Sequence, residues 1–471
     1  MRISGLGMLS LLAAALTFVP VSAAPPLPSP LPGPELFAAH RQRFLEKLPP
    51  GSVAVIHAAP ESEGVSGDPY RQDSDFWYLT GLSEPEAVAV FLRDAERGKQ
   101  YLLFVRPRNP VEEQWTGART GPEGAGAVHH ADRGFSLSEL DQKIPEILKA
   151  ARSLFYRDGG EEKFGRKLTT DWQAATADAA EPRPIADAGP LVHQLRLVKD
   201  DTEIALMRRA ATLSVEAHRA AMERVKPGAH EFELKARMVE RCLAGGAARM
   251  AYPPIVGSGP NSVVLHYDRA DRRMNAGEMI VNDTACEYSM YSADVTRSYP
   301  VSGRFSVEQR AIYQIVLDAQ KAGIAKVAPG VLYHEVYDAT VGVVVDGLLK
   351  LGLMKGDRVE IIKSRAYKAF YPHGSSHWLG LNVHDSGSYR YIRTEERYDK
   401  YTTAQTKLEP GMVLTVEPGI YIGEAAAGVD ARWANIGVRI EDDILVTPGG
   451  NECLSCASPR EIGDVEKALT R

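Results

Sequence analysis

The chain has 471 residues, enough for two or three domains with large cores, and it is 44% hydrophobic and 25% charged, the profile of an ordinary globular protein. Its formal net charge of −6, with no lysine- or arginine-rich block beyond a solvated surface run, excludes a nucleic-acid-binding reading.

At the N-terminus Arg2 precedes the apolar run 8–19, and Val21-Ser22-Ala23 offers small residues at a cleavage site. This is the layout of a secretory signal peptide, residues 1–23. The run is shorter than the ~20 residues a bilayer-spanning helix needs, and no later run is long enough. The expectation is an exported protein, periplasmic or secreted, with no membrane association after cleavage. Residues 24–34 hold six prolines, a stiff extended lead-in.

Residues 35–182 alternate apolar runs with helical patterns, which predicts an α/β domain with strands at Ser52–Ile56, Ala87–Phe91 and Tyr101–Val105. The aromatic segment Tyr70–Gly81 suits a domain or subunit contact, or core packing. The pair His129-His130 has no partner pattern and reads as surface. Glu181-Pro182-Arg183-Pro184 marks a boundary, with a second domain over 190–471.

Asp200 with Glu203 forms a capping box that opens a helix running to about Val225, where Pro227-Gly228 stops it. A second helix covers Glu231–Leu243. The grammar returns when Ser306 with Gln309 caps a helix that ends at Pro329-Gly330, and another follows to Gly352. Two helices followed by strands, repeated, suggest an internal duplication. Of the four cysteines, Cys453 and Cys456 can close a small loop, and export permits disulfides. Cys242 has no assigned partner. Cys286 has the opposite strand parity to Asp283, so it is expected to face away from the site as a core residue.

Between the helix pairs lies Ile280–Arg297. An apolar strand delivers Asp283, a polar turn follows, and a second strand carries Asp294. If the strands pair about Tyr288 and Ser289, the two carboxylates face each other on one side of the hairpin. Like charges so placed repel unless something positive lies between them, and a metal ion answers that need. Three further groups follow: His377, Glu417 at a strand end, and Glu441, which shares a face with Arg439. Four carboxylates and an imidazole form a hard, oxygen-rich set able to hold two divalent ions. His373 and His377 have HxxxH spacing, but Gly374 stands where a helical zinc-protease motif needs Glu.

The segments Asp283…Asp294-Val295-Thr296-Arg297, 373–380 (His-Gly-Ser-Ser-His-Trp-Leu-Gly), Val416-Glu417-Pro418-Gly419 and Arg439-Ile440-Glu441-Asp442-Asp443 resemble the pita-bread metallopeptidases, within them the aminopeptidase P (Xaa-Pro aminopeptidase) family. Tyr70–Tyr78 resembles that family's N-terminal domain. The resemblance implies an α/β domain followed by an α+β pita-bread domain with internal pseudo-duplication. It implies a dinuclear centre, typically Mn²⁺, with Zn²⁺ or Co²⁺ as alternatives. Asp294 and Glu441 would bridge the ions, Asp283 would hold one, and His377 and Glu417 the other. It further implies that His266 stabilises the transition state, that His373 and His384 position substrate, and that Arg439 lies beside the ions. Tyr252 and Tyr421 would line the site, and Trp115 would be lent to a neighbouring subunit of a dimer or tetramer.

The implied reaction is release of the first residue from peptides with proline second, by attack of a metal-bridging hydroxide, with Glu417 carrying the proton. Ala285 and Ala293 replace glycines common in the family hairpin. Tyr389–Lys407 is longer than in close bacterial relatives and lies between the histidines and Glu417, where it would reshape the far side of the pocket. That leaves open a dipeptidase (prolidase), which shares the fold and ligands. A metal-free binding protein on the same fold is a third reading.

Overall fold

The computed structural model describes residues 32–61, 70–94, 98–387, 406–424 and 429–470. The signal-like segment, most of the proline-rich lead-in and nearly all of the Tyr389–Lys407 insertion lie outside them. Among the described residues no helix is long and apolar enough to cross a membrane.

The first domain is built on a six-stranded sheet of β1 (Ser52–His57), β2 (Val88–Asp94), β3 (Gly98–Val105), β4 (Arg133–Ser136), β5 (Ser153–Arg157) and β6 (Ile185–Asp187), in the order β4-β3-β2-β1-β5-β6. The β1–β2 and β2–β3 pairs are antiparallel and the rest parallel. Strand β1 is buried throughout because both sheet faces are covered, which is why it reads as an unbroken apolar run. Val53 and Val55 pack with Phe104, Leu148 and Trp172 on one face, while Ala54 and Ile56 pack with Phe44, Phe91 and Trp77 on the other. Strand β6 lies beyond the Pro182–Pro184 link, so the sheet continues past the expected boundary.

The aromatic segment serves both expected roles. Phe76, Trp77 and Tyr78 are fully buried, and the same cluster includes Tyr291, Leu379 and Leu445 of the second domain. Asp73 caps the short helix Ser74–Thr80 through the Phe76 amide. His129 is half-buried rather than on the surface, its Nδ1 bonded to the Thr80 carbonyl oxygen at 3.1 Å.

In the second domain the capping boxes at Asp200 and Ser306 are both formed. Helices Asp201–Met222 and Glu231–Ala244 make one pair, and Val307–Lys326 and Tyr333–Lys350 the other. Gly228 and Gly330 after the first helix of each pair have φ of 92° and 83°, a conformation that suits glycine, and the layout of the two halves matches. The first half supplies β7 (Arg249–Met250), β8 (Ile255–Ser258), β9 (Met279–Asp283), β10 (Cys286–Tyr288), β11 (Tyr291–Ser292) and β12 (Thr296–Pro300). The second supplies β13 (Val413–Val416), β14 (Gly419–Ile422), β15 (Ile436–Arg439), β16 (Asp442–Thr447) and β17 (Gly450–Cys453). A bridge between Thr296 and Glu441 joins the halves.

The hairpin register differs from expectation. The turn centres on Ser289 and Met290, with φ of 48° and 70°, so Asp283 faces Thr296 rather than Asp294. The parity is unchanged, so the two aspartates become diagonal neighbours on the same face. Cys286 is fully buried as expected, but as half of a disulfide with Cys242 at the end of Glu231–Ala244, not as a free core residue. Cys453 and Cys456 form a second disulfide.

Candidate metal centre

Strand β9 ends by placing Asp283, and the chain after β11 places Asp294. The Tyr252 hydroxyl reaches both, at 2.5 Å from Asp283 Oδ1 and 2.7 Å from Asp294 Oδ1. His377 points its Nε2 at Asp294 Oδ2 (3.2 Å), Glu417 Oε1 (3.6 Å) and Glu441 Oε1 (4.0 Å). Its Nδ1 lies 3.0 Å from the Trp378 carbonyl oxygen, which favours a proton there and leaves Nε2 for a ligand. The backbone places these groups by short pairings: His377 accepts from the Thr415 amide, and the Glu417 amide donates to Ser375.

Ligand atoms of Asp294, His377 and Glu441 lie within 4.8 Å of one another. The electrostatics show what such crowding asks for. Burial, compounded by neighbouring carboxylates, raises Asp283 and Glu441 above the usual range and pushes Glu417 up to about 7. Burial opposes charge on His377, yet Asp294 and Glu417 outweigh it and lift the ring to about 9. Acids pushed towards neutrality around an imidazole pulled towards charge mark a site that favours added positive charge. The five groups fit two divalent cations: Asp283, Asp294, His377, Glu417 and Glu441 would hold them.

Arg439, buried at the end of β15, donates from Nη2 to Asp283 Oδ2 at 2.6 Å and from Nη1 to the Tyr421 hydroxyl at 2.8 Å. His373 Nε2 lies 2.9 Å from that same hydroxyl, and its Nδ1 lies 3.7 Å from Glu417 Oε2. Burial and the nearby Arg439 charge hold His373 down at about 3, a neutral ring. His384 is exposed, with its ring centroid 4.2 Å from that of His377. His266 is exposed on the loop after Gly259–Val263, beside Leu265, whose carbonyl oxygen accepts from Arg439. The structure therefore gathers the expected groups, except that Trp115 stands apart on the first-domain helix Pro110–Thr116, 85% exposed.

Sequence reasoning missed a supporting layer. Thr296 Oγ donates to Glu441 Oε2 at 2.6 Å and accepts from Arg439 Nε at 3.2 Å. Arg297, fully buried, donates to the Glu441 and Thr296 carbonyl oxygens at 2.7 and 2.9 Å and to Asp442 Oδ1 at 2.7 Å. Asp443 accepts the Asp294 amide. The signal was available in part: an arginine directly after Thr296 and an acid run after Glu441, read only as motif letters.

The sequence profile of Metallopeptidase family M24 matches residues 205–448, the stretch that carries all five candidate ligands. The chain belongs to metallopeptidase family M24. The first domain of this M24 metallopeptidase matches Aminopeptidase P, N-terminal domain, over residues 37–156, which places it in the aminopeptidase P group. It is 38% identical over 440 residues to the Xaa-Pro aminopeptidase of Escherichia coli (strain K12), covering 92% of this chain and 97% of that one. It superposes on the structure of Pseudomonas aeruginosa aminopeptidase PepP with a TM-score of 0.86 at 39% identity, covering 93% of this chain and 98% of that one. A zinc-substituted E. coli aminopeptidase P in complex with product aligns with the same TM-score and coverage at 37% identity. The M24 metallopeptidase thus has the pita-bread architecture behind an aminopeptidase P-type domain, and its family uses divalent metal ions.

Proposed function

We propose that this protein is an exported Xaa-Pro aminopeptidase that releases the first residue from peptides with proline in second position. The observation that carries this reading is the convergence of Asp283, Asp294, His377, Glu417 and Glu441 beside His373, Tyr421 and Arg439. Relatives named for the same activity match over both domains. Two divalent ions at the five ligands, Mn²⁺ by resemblance, would supply an activated water near neutral pH and an electrophile for the scissile carbonyl.

The chain's own groups do the rest. Asp283 takes the free α-amine of the substrate, which limits cleavage to the first bond. Glu417 accepts the proton of the attacking water and hands it towards the proline nitrogen, which leaves poorly until protonated. His373 and His384 hold the peptide about the scissile bond, and His266 donates to the developing oxyanion. Arg439 fixes Asp283 and Tyr421 in place. Export is supported by the signal-like segment and by two disulfides, which form and persist in oxidising compartments. Self-association fits the exposed Trp115.

The test uses metal-stripped protein lacking residues 1–23, reloaded with Mn²⁺, against Ala-Pro and against longer Arg-Pro-Pro-type peptides. Release of only the first residue from both supports the proposal. Cleavage of the dipeptide alone makes the protein a prolidase. Activity retained in Asp294→Asn, or no cleavage with any divalent ion, overturns the metallopeptidase mechanism.

A further inference from the structure

Beside Tyr252, between the two domains, lies a cavity of about 780 Å³. Tyr252 forms one wall, and its hydroxyl is the group that reaches Asp283 and Asp294. Val383, the residue before His384, forms another. Through Tyr252 the cavity borders the candidate metal centre.

The polar groups of the cavity are unbalanced. The one carboxylate among the described residues that line it, Glu287, is buried and accepts from Arg71 Nε at 2.7 Å. Arg249 lies directly opposite Glu287 in the β7–β10 pairing, so register alone would join them. Arg71, arriving from the first domain, has taken that carboxylate. The Arg249 guanidinium, half-buried in the cavity wall, has no hydrogen bond or ion pair among the described residues. Asn382 is similar: its Oδ1 accepts from Ser74 Oγ at 2.7 Å, which leaves its amide N–H groups unpaired among the described residues. The cavity therefore offers one surplus positive charge and spare donors, with apolar walls from Leu243 and Met250.

We propose that this cavity is the subsite for the first residue and that Arg249 makes it select an acidic one, glutamate or aspartate before proline. The apolar walls pack the methylene stem, and the carboxylate meets Arg249 and the Asn382 amide. The inference rests on the aminopeptidase reading and deepens it.

The experiment compares kcat/KM of the Mn²⁺-loaded enzyme on Glu-Pro-Ala, Gln-Pro-Ala, Lys-Pro-Ala and Ala-Pro-Ala. The glutamate peptide should exceed the lysine peptide by about tenfold or more, and that ratio should shrink as salt rises. In Arg249→Ala the ratio should fall towards one, and in Arg249→Glu it should invert. The salt series on the unmodified enzyme reads the same charge should either variant fail to fold. Equal rates for the glutamate and lysine peptides, or a ratio that survives in Arg249→Ala or is indifferent to salt, overturns the proposal while cleavage of Ala-Pro-Ala leaves the aminopeptidase reading standing. If no peptide is cleaved, that reading falls and this inference with it.

Discussion

Replacing Arg297 by methionine tests whether the strands of the candidate metal centre are held from behind. The guanidinium is fully buried and bonds the Glu441 and Thr296 carbonyl oxygens, Asp442 Oδ1, and, at 3.2 and 3.4 Å, the Ser458 and Ser455 carbonyl oxygens. Methionine conserves most of the volume but strands these acceptors. Breaking one partner of a buried ion pair costs about 3–5 kcal/mol. Asp442 keeps Arg460 at 3.2 Å, Gln320 at 2.9 Å and Ser455 at 2.6 Å, which places the loss at the lower end of that range. A loss of ~3 kcal/mol corresponds to a midpoint drop of roughly 6–12 °C for a domain of about 200 residues, and less for a larger one. The assay is thermal unfolding of metal-free protein, paired with calorimetric Mn²⁺ titration, because the same guanidinium fixes the backbone at Glu441. A midpoint within 2 °C of the unmodified protein, with undiminished Mn²⁺ affinity, would refute the reasoning, since roughly this much is what an exposed substitution produces.

Three other outcomes follow from the geometry. Burial raises Asp75 and Asp385, but His193 and Arg196 around the first, and Arg196 and Lys199 around the second, bring both below the usual carboxylate range. A depressed folded pKa contributes stability that is present above the unfolded value of about 3.9 and lost as pH falls through the folded one. The midpoint gap between the protein and Arg196→Met should therefore be full at pH 7 and close below about pH 4; a constant gap would remove the link. Trp115→Ala should leave the thermal midpoint nearly unchanged, because the side chain is 85% exposed, yet shift the mass seen by light scattering towards monomer. Unchanged mass would take Trp115 out of the subunit contact. Removing the Cys242–Cys286 disulfide, whose ends are 44 residues apart, should cost about 4 kcal/mol on loop entropy, roughly twice the cost for Cys453–Cys456, 3 apart. Equal midpoint losses in the two cysteine double variants would count against that ranking.

The helices were legible because their stops and caps are local: Asp200 and Glu203, Ser306 and Gln309, and Gly228 and Gly330 each act within a few residues. Of the candidate ligands, Asp283 and Asp294 were legible through hairpin parity and Glu417 and Glu441 through their strands, while His377, on no strand, was legible only through the motif resemblance. What escaped depends on contacts that sequence distance hides. A turn with two left-handed residues favours Asn-Gly, so Ser289-Met290 carried no register signal. Parity put Cys286 away from Asp283, but its partner lies across a helix end that no spacing rule reaches. Arg71 binding Glu287 crosses 216 residues and two domains, and only the folded chain shows that it leaves Arg249 without a partner among the described residues.

The candidate ligands are divided between the two halves of the second domain, Asp283 and Asp294 in one and His377, Glu417 and Glu441 in the other, joined at the Thr296–Glu441 bridge. Neither half alone assembles the donor set, so ion capture there would be a late event that reports a finished fold. A chain carried unfolded across a membrane would then take its metal at the destination. Divalent ions compete at such sites by affinity and by supply, and the supply is that of the compartment where the halves meet. The place of folding would choose the metal as much as the ligands do.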